Sequence, residues 1–198
     1  MSDVAIAEAE KARLRHEVRA RVTALDASAR RAESAALCEA LAAAACWGGA
    51  RTVAGYFARP EEPDLAPLLA RGVAEGRRLA LPRWNGAEDR YELVLVRNPA
   101  ADCAPGRFGI LEPRPELPAL DARLLDLALV PGVAFDLGGR RLGRGGGFYD
   151  RLLAGLAGGL CGVCFAEQVV PEVPSLPHDV RMTYLATPAG VRPAGMRG

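Results

Sequence analysis

Lysine is nearly absent from this chain of 198 residues: Lys11 stands alone beside 24 arginines. A Walker A loop needs a lysine directly after its glycines, so that route to phosphate binding is closed everywhere past Lys11. Histidine is scarce too, with only His16 and His178, and no Ser-His-Asp or Cys-His arrangement for covalent catalysis stands out. Five cysteines are too few, and odd in number, for a disulfide scaffold; they suit a reducing compartment. No run of 18 uncharged apolar residues occurs, the nearest being the glycine-rich stretch Leu152 to Ala166, so no membrane span is expected. Neither charge sign is in excess. With 25 basic and 24 acidic side chains the net charge is +1, which offers nucleic acid or an anionic membrane no global field. Asp3, Glu8 and Glu10 precede any long apolar run, a pattern of neither a secretory signal nor a transit peptide, and the expected location is the cytoplasm.

What is present is apolar and alanine-rich. Half of the chain is apolar and 37 residues are alanine, yet leucine, isoleucine, valine and phenylalanine number 48, enough for a buried core. Leu14, Val18, Val22 and Leu25 recur at helical spacing from about Ala9, with Lys11, Arg15 and Arg19 on a neighbouring face. Asp26 or Ser28 can cap a second helix running to about Cys46. Strands are expected at Thr52 to Ala58, Arg78 to Pro82, Tyr91 to Val96, Leu125 to Val130, Leu160 to Phe165 and Tyr184 to Thr187. Helices are expected at Asp64 to Glu75 and Phe148 to Leu156. The alternation predicts an α/β fold: one three-layer domain over residues 1–198, with a mostly parallel central sheet, helices on both faces and an N-terminal helical pair. Residues of about 1–8 and 190–198 are expected to be flexible termini. Asn98 to Pro118 carries too much proline and glycine to be regular structure, and a long segment of this kind in a compact domain is usually kept for function.

The densest chemistry lies in Arg140 to Arg151, where four arginines, four glycines and Asp150 fall within twelve residues between a strand and a helix. Glycines let backbone amides approach an anion, a helix N-terminus adds partial positive charge, and guanidinium forks match phosphate oxygens. This is a phosphate loop on physical grounds, and it is not a dinucleotide fingerprint, because Phe148 stands where the third glycine belongs. Cys161 and Cys164 form a C-x-x-C pair, but no second pair completes a zinc site and the spacing falls within a strand, where residues three apart face opposite sides; it is read as packing.

The segment Leu129-Val-Pro-Gly-Val-Ala-Phe-Asp136, followed by Arg141-Leu-Gly-Arg-Gly-Gly-Gly-Phe-Tyr-Asp150, resembles the signature of the 5-formyltetrahydrofolate cyclo-ligase family, also called 5,10-methenyltetrahydrofolate synthetase. Weaker elements follow the family's order: Lys11 with Leu14 and Arg15; Glu62-Pro-Asp64; Gly106 to Pro113; and Gln168 with Pro177-His-Asp179. The resemblance spans about Lys11 to Pro188. It implies an enzyme that uses ATP and Mg2+ to turn 5-formyltetrahydrofolate into 5,10-methenyltetrahydrofolate, releasing ADP and phosphate. In the family's mechanism the formyl oxygen takes the terminal phosphoryl group and the neighbouring nitrogen then closes the ring, so the protein positions and stabilises charge.

Carried over by position, the resemblance implies ATP contacts at Lys11, Arg15, Arg141, Leu142, Gly143, Arg144, Gly145, Gly146, Gly147, Phe148 and Tyr149, with Arg144 and Lys11 acting on the transferred group. It implies folate contacts at Phe57, Glu62, Phe108, Arg144, Gly145, Gly146, Gly147 and Phe148, with Tyr56 and Trp84 as further aromatic candidates, and Mg2+ ligands at Asp150 and Asp179. The family commonly has a second aspartate four residues after Asp179; here Thr183 occupies that position. His178 is read as a loop residue. The expected partners are the folate and ATP alone, with no nucleic acid and no membrane, acting on a monomer or a homodimer. A paralogue that binds nucleotide or another pterin without this reaction is the alternative.

Overall fold

A computed structural model describes residues 3–195. Its centre is a seven-stranded sheet in the order β11-β10-β9-β6-β1-β2-β3. The strands are β1 (Thr52–Ala54), β2 (Arg78–Asn85), β3 (Arg90–Val96), β6 (Leu127–Val130), β9 (Gly159–Val163), β10 (Tyr184–Thr187) and β11 (Gly190–Pro193). The four inner pairings are parallel, and antiparallel partners close both edges, β3 on β2 and β11 on β10. β1 and β6 lie side by side. From β1 the chain continues to one side of the sheet and from β6 to the other, so a crevice opens beyond their C-terminal ends.

One face of the sheet packs against α2 (Ala27–Ala43), α3 (Ala45–Gly48) and α4 (Ala66–Ala74) through Leu37, Leu41, Trp47, Leu65 and Leu68. The other face packs against α6 (Phe148–Leu153) through Leu153, with Phe135 and Leu160. Asp26 caps α2 as anticipated, accepting from the amide of Ala29 at 2.7 Å. α1 (Asp3–Ala24) does not lie on the sheet. Its buried stripe of Leu14, Val18 and Val22 packs with Val133, Leu142, Phe165 and Val170, around a small ribbon of β7 (Ala134–Phe135) and β8 (Arg141–Leu142). No helix among the described residues is long and apolar enough to cross a membrane.

Within the described residues, the terminal segments hold the first turns of α1 from Asp3 and all of β11. Two expectations need correction. The segment Asn98 to Pro118 is not irregular: it folds as α5 (Pro99–Asp102) and a hairpin of β4 (Cys103–Pro105) and β5 (Leu111–Pro113). The strand expected over Thr52 to Ala58 ends at Ala54, and Tyr56 and Phe57 beyond it line the site.

Candidate active site

A cavity of about 270 Å3 opens at that crevice. Tyr56 and Phe57 enter it from the segment after β1, and Pro131 and Gly132 from the segment after β6; the glycine-rich loop and the start of α6 close one side. Of the sequence candidates, Phe57, Glu62, Arg141, Gly143, Arg144, Gly146, Gly147, Phe148, Tyr149 and Asp150 all line it, and Tyr56 joins them. The side chain of Phe108 lies outside the described residues.

The loop owes its path to glycine. Gly145 and Gly147 hold φ values of 105° and 63°, a region side chains rarely adopt, and Gly147 is the residue from which α6 begins. Arg15 braces the loop from behind, its Nε donating to the carbonyl of Gly143 at 2.9 Å. One turn earlier on α1, Lys11 is 4% exposed and donates to Asp179 Oδ2 at 2.6 Å. Lys11 and Arg15 therefore stand behind the loop, outside the cavity lining. Leu142 is a core residue under α1, and its side chain is not part of the lining.

Arg141 forms the buried floor. Its Nη2 donates to Asp150 Oδ1 at 2.8 Å, and its Nη1 to the carbonyl of Pro131 at 3.4 Å. Its Nε is buried without a hydrogen-bond partner, an orphaned donor of the kind that a bound anion satisfies. Arg144 stands at the mouth and donates to Glu62 Oε1 from Nε at 3.2 Å and Nη2 at 2.9 Å; Nη2 also reaches Glu61 at 3.3 Å. Glu62 is further held by the amide of Arg59, which donates to Oε2 at 3.0 Å.

An aromatic wall adjoins the loop. Phe148 meets Trp84 edge to face at 5.2 Å and Tyr91 at 6.0 Å, and Arg107 from the 99–118 segment lies 3.9 Å from the Trp84 ring. Burial pushes the Tyr149 hydroxyl up, and the negative charge of Glu62 adds to the shift, so Tyr149 remains a neutral phenol at physiological pH.

Among the described residues no group of three or more His, Cys, Asp or Glu side chains is placed to hold a metal. Mg2+ requires less, because one or two carboxylates with waters and phosphate oxygens suffice. Asp150 fits that demand: it lines the cavity and Arg141 engages one of its oxygens. Asp179 Oδ2 is committed to Lys11 and to the amide of Leu176. Thr183 is turned away from such work, its hydroxyl taking the amide of Leu160 at 2.6 Å and donating to the Leu160 carbonyl at 2.9 Å.

The profile of the 5-formyltetrahydrofolate cyclo-ligase family matches residues 7–188, a span that includes every one of these residues. The chain belongs to that family. Relatives include the 5-formyltetrahydrofolate cyclo-ligase of Mycolicibacterium smegmatis, 37% identical over 143 residues that cover 70% of this chain and 74% of the relative. The enzyme of the same name from Escherichia coli K12 is 32% identical over 146 residues, covering 72% and 80%. The solution structure of Aquifex aeolicus 5,10-methenyltetrahydrofolate synthetase superposes with a TM-score of 0.83 at 34% identity, over 95% of this chain and 94% of that one. Two cavity residues of this family member, Arg59 and Tyr91, fall outside the matched elements; they lie on a turn and a strand, and only folding brings them beside Ile110, Leu111 and Glu112 of the Gly106 to Pro113 element. The one available signal for Arg59 is proximity, since it stands within three residues of Glu62.

Proposed function

We propose that this chain converts 5-formyltetrahydrofolate to 5,10-methenyltetrahydrofolate at the cost of ATP, as a cytoplasmic monomer acting on small molecules. The observation that carries the reading is one cavity in which a carboxylate and flat aromatic walls adjoin an arginine- and glycine-lined anion site. Glu62 can accept paired hydrogen bonds from the amide and amino groups of a pterin, and Phe57, Tyr91 and Phe148 suit its flat rings. Arg141, Arg144 and the amides of residues 143–147 take the polyphosphate, with Arg15 bracing the loop and Lys11, one turn earlier on the same helix, holding Asp179. Asp150 would hold Mg2+, with Asp179, whose Oδ2 is bonded to Lys11 and the amide of Leu176, as the second carboxylate of this reading; the ion would supply positive charge against the phosphate oxygens.

The formyl oxygen attacks the terminal phosphorus as its bond to ADP breaks, and Arg144 offsets the negative charge that spreads over the equatorial oxygens. The neighbouring nitrogen then attacks the formyl carbon, the carbon–oxygen bond to phosphate breaks, and phosphate leaves. No protein nucleophile is needed, in keeping with a site without a free thiol, lysine or histidine among its lining residues. The five unpaired thiols suit a reducing cytoplasm.

The test is near-ultraviolet absorbance of purified protein with 5-formyltetrahydrofolate, Mg2+ and ATP. The methenyl chromophore should grow only with ATP, and Arg144→Ala should lower kcat by about 10²–10³-fold, the usual cost of removing one donor to developing charge. Folded protein that forms no chromophore would leave a nucleotide- or pterin-binding relative without this activity.

A further inference from the structure

The two ligands have to compete with one ion pair. Glu62 and Arg144 come from opposite sides of the cavity mouth, 82 residues apart in sequence, and hold each other by two contacts to Glu62 Oε1. Glu62 is nearly buried, with 8% of its side chain exposed, while Arg144 retains 32%. Both residues line the cavity and the groove that adjoins it. On the proposed function, a nucleotide's phosphates call on the Arg144 guanidinium and a pterin's amide and amino groups call on the Glu62 carboxylate. Neither residue can serve its ligand fully while it serves the other.

We infer that the Glu62–Arg144 pair is a latch that couples the nucleotide and folate subsites, so that each ligand tightens the other. The first ligand must break the pair and binds weakly for that reason; the second finds its partner already released. Linkage requires the effect to be reciprocal, with one coupling factor for both ligands. The sign is informative. Two anionic ligands in adjoining subsites repel each other, and a cavity without the latch would show negative coupling. Glu61, at 3.3 Å from Arg144, is a weaker second catch on the same guanidinium. The inference rests on the proposed function for the identity of the ligands and on the structure for the pair.

Calorimetric titration of the full chain with 5-formyltetrahydrofolate and with the Mg2+ complex of a non-hydrolysable ATP analogue, each alone and in the presence of the other, tests it. In the unaltered protein each ligand should bind at least about fivefold tighter when the other is present. Glu62→Gln should bind the nucleotide analogue alone several-fold tighter than the unaltered protein, although it weakens folate binding, and should bring the coupling factor close to one. Glu61→Gln should also tighten the nucleotide, by less, and leave folate affinity unchanged; it decides the matter should Glu62→Gln not fold. Glu112→Gln is the control for loss of charge alone. It removes a carboxylate that lines the same cavity but accepts from the amide of Trp84 and not from Arg144. Its nucleotide affinity should tighten by less than in either of the other two variants. Binding of both ligands without coupling, or nucleotide affinity no tighter in the Glu62 and Glu61 variants than in the Glu112 variant, overturns the latch. Failure of the unaltered protein to bind either ligand overturns the proposed function instead.

Discussion

Asp179 is held by two donors, Lys11 Nζ at 2.6 Å and the amide of Leu176 at 2.7 Å. Burial alone would push its carboxyl up, but these two bonds outweigh it and keep the group below the ordinary carboxylate range. A depressed folded value means that the pair stabilises the protein above the unfolded value near pH 3.9, and that this stability is lost as the pH falls through the folded value. Asp179→Asn is therefore expected to cost about 1–3 kcal/mol at pH 7, the range for losing hydrogen bonds to a charged group. Urea unfolding should show the gap between variant and unaltered protein narrowing from pH 5 to pH 3; a gap that stays constant would assign the cost to lost packing. The pair was not legible in the sequence. Lys11 and Asp179 were each singled out, one for phosphate and one for metal, but their 168-residue separation gave no hint that they meet. The fate of Thr183 was equally hidden, because a hydroxyl bonded to a neighbouring strand is a property of register.

Among the elements, those with a strong period were readable and the short ones were not. α1, α2 and the parallel strands follow from apolar spacing, whereas β7 and β8 have two residues each, too few to carry a pattern. Proline misled the reading of residues 98–118. Pro99 sits in the first turn of α5, where its missing N–H is no loss, and Pro105 and Pro113 sit at the ends of a two-stranded hairpin. Those prolines shape the hairpin that carries Ile110 and Leu111 to the cavity. The loop after β6 is braced by a buried amide side chain. Gln168 is 2% exposed; its Nε2 donates to the carbonyls of Gly132 at 2.8 Å and Val133 at 3.1 Å, and its Oε1 accepts from the amide of Phe165 at 2.9 Å. Gln168→Ala strands these groups without water, and a loss of about 2–4 kcal/mol is expected. Because Gly132 lines the cavity, the variant should also raise the KM for folate; thermal unfolding read beside steady-state kinetics checks both, and a Tm unchanged from the parent would refute the bracing role.

For the molecule as a whole, the sheet is a partition, and the cysteines record it. Cys161 packs with Leu41 and Trp47 on one face, and Cys164, one residue past the end of β9, with Phe135 and Leu153 on the other, as three-residue spacing along extended chain requires. All five cysteines are free, and all but Cys46 are buried. Burial pushes every one of these thiols up, Cys103 to about 11 and Cys161 well above its ordinary value. In the native protein a thiol reagent at pH 8 should modify Cys46 first and leave Cys161 and Cys164 untouched, while unfolded protein exposes all five. The same shifts set a limit on alkaline stability. A thiol whose folded value is raised favours the folded state below the unfolded value, near pH 8.5, and that contribution drains away as the pH rises toward the folded value. Stability to urea should therefore fall from about pH 8.5 upward, more steeply than in a variant with Cys103→Ala and Cys164→Ala. If the two proteins lose stability in parallel above pH 8.5, tyrosine ionisation governs the decline, with buried Tyr56 and Tyr149 as the groups to replace next.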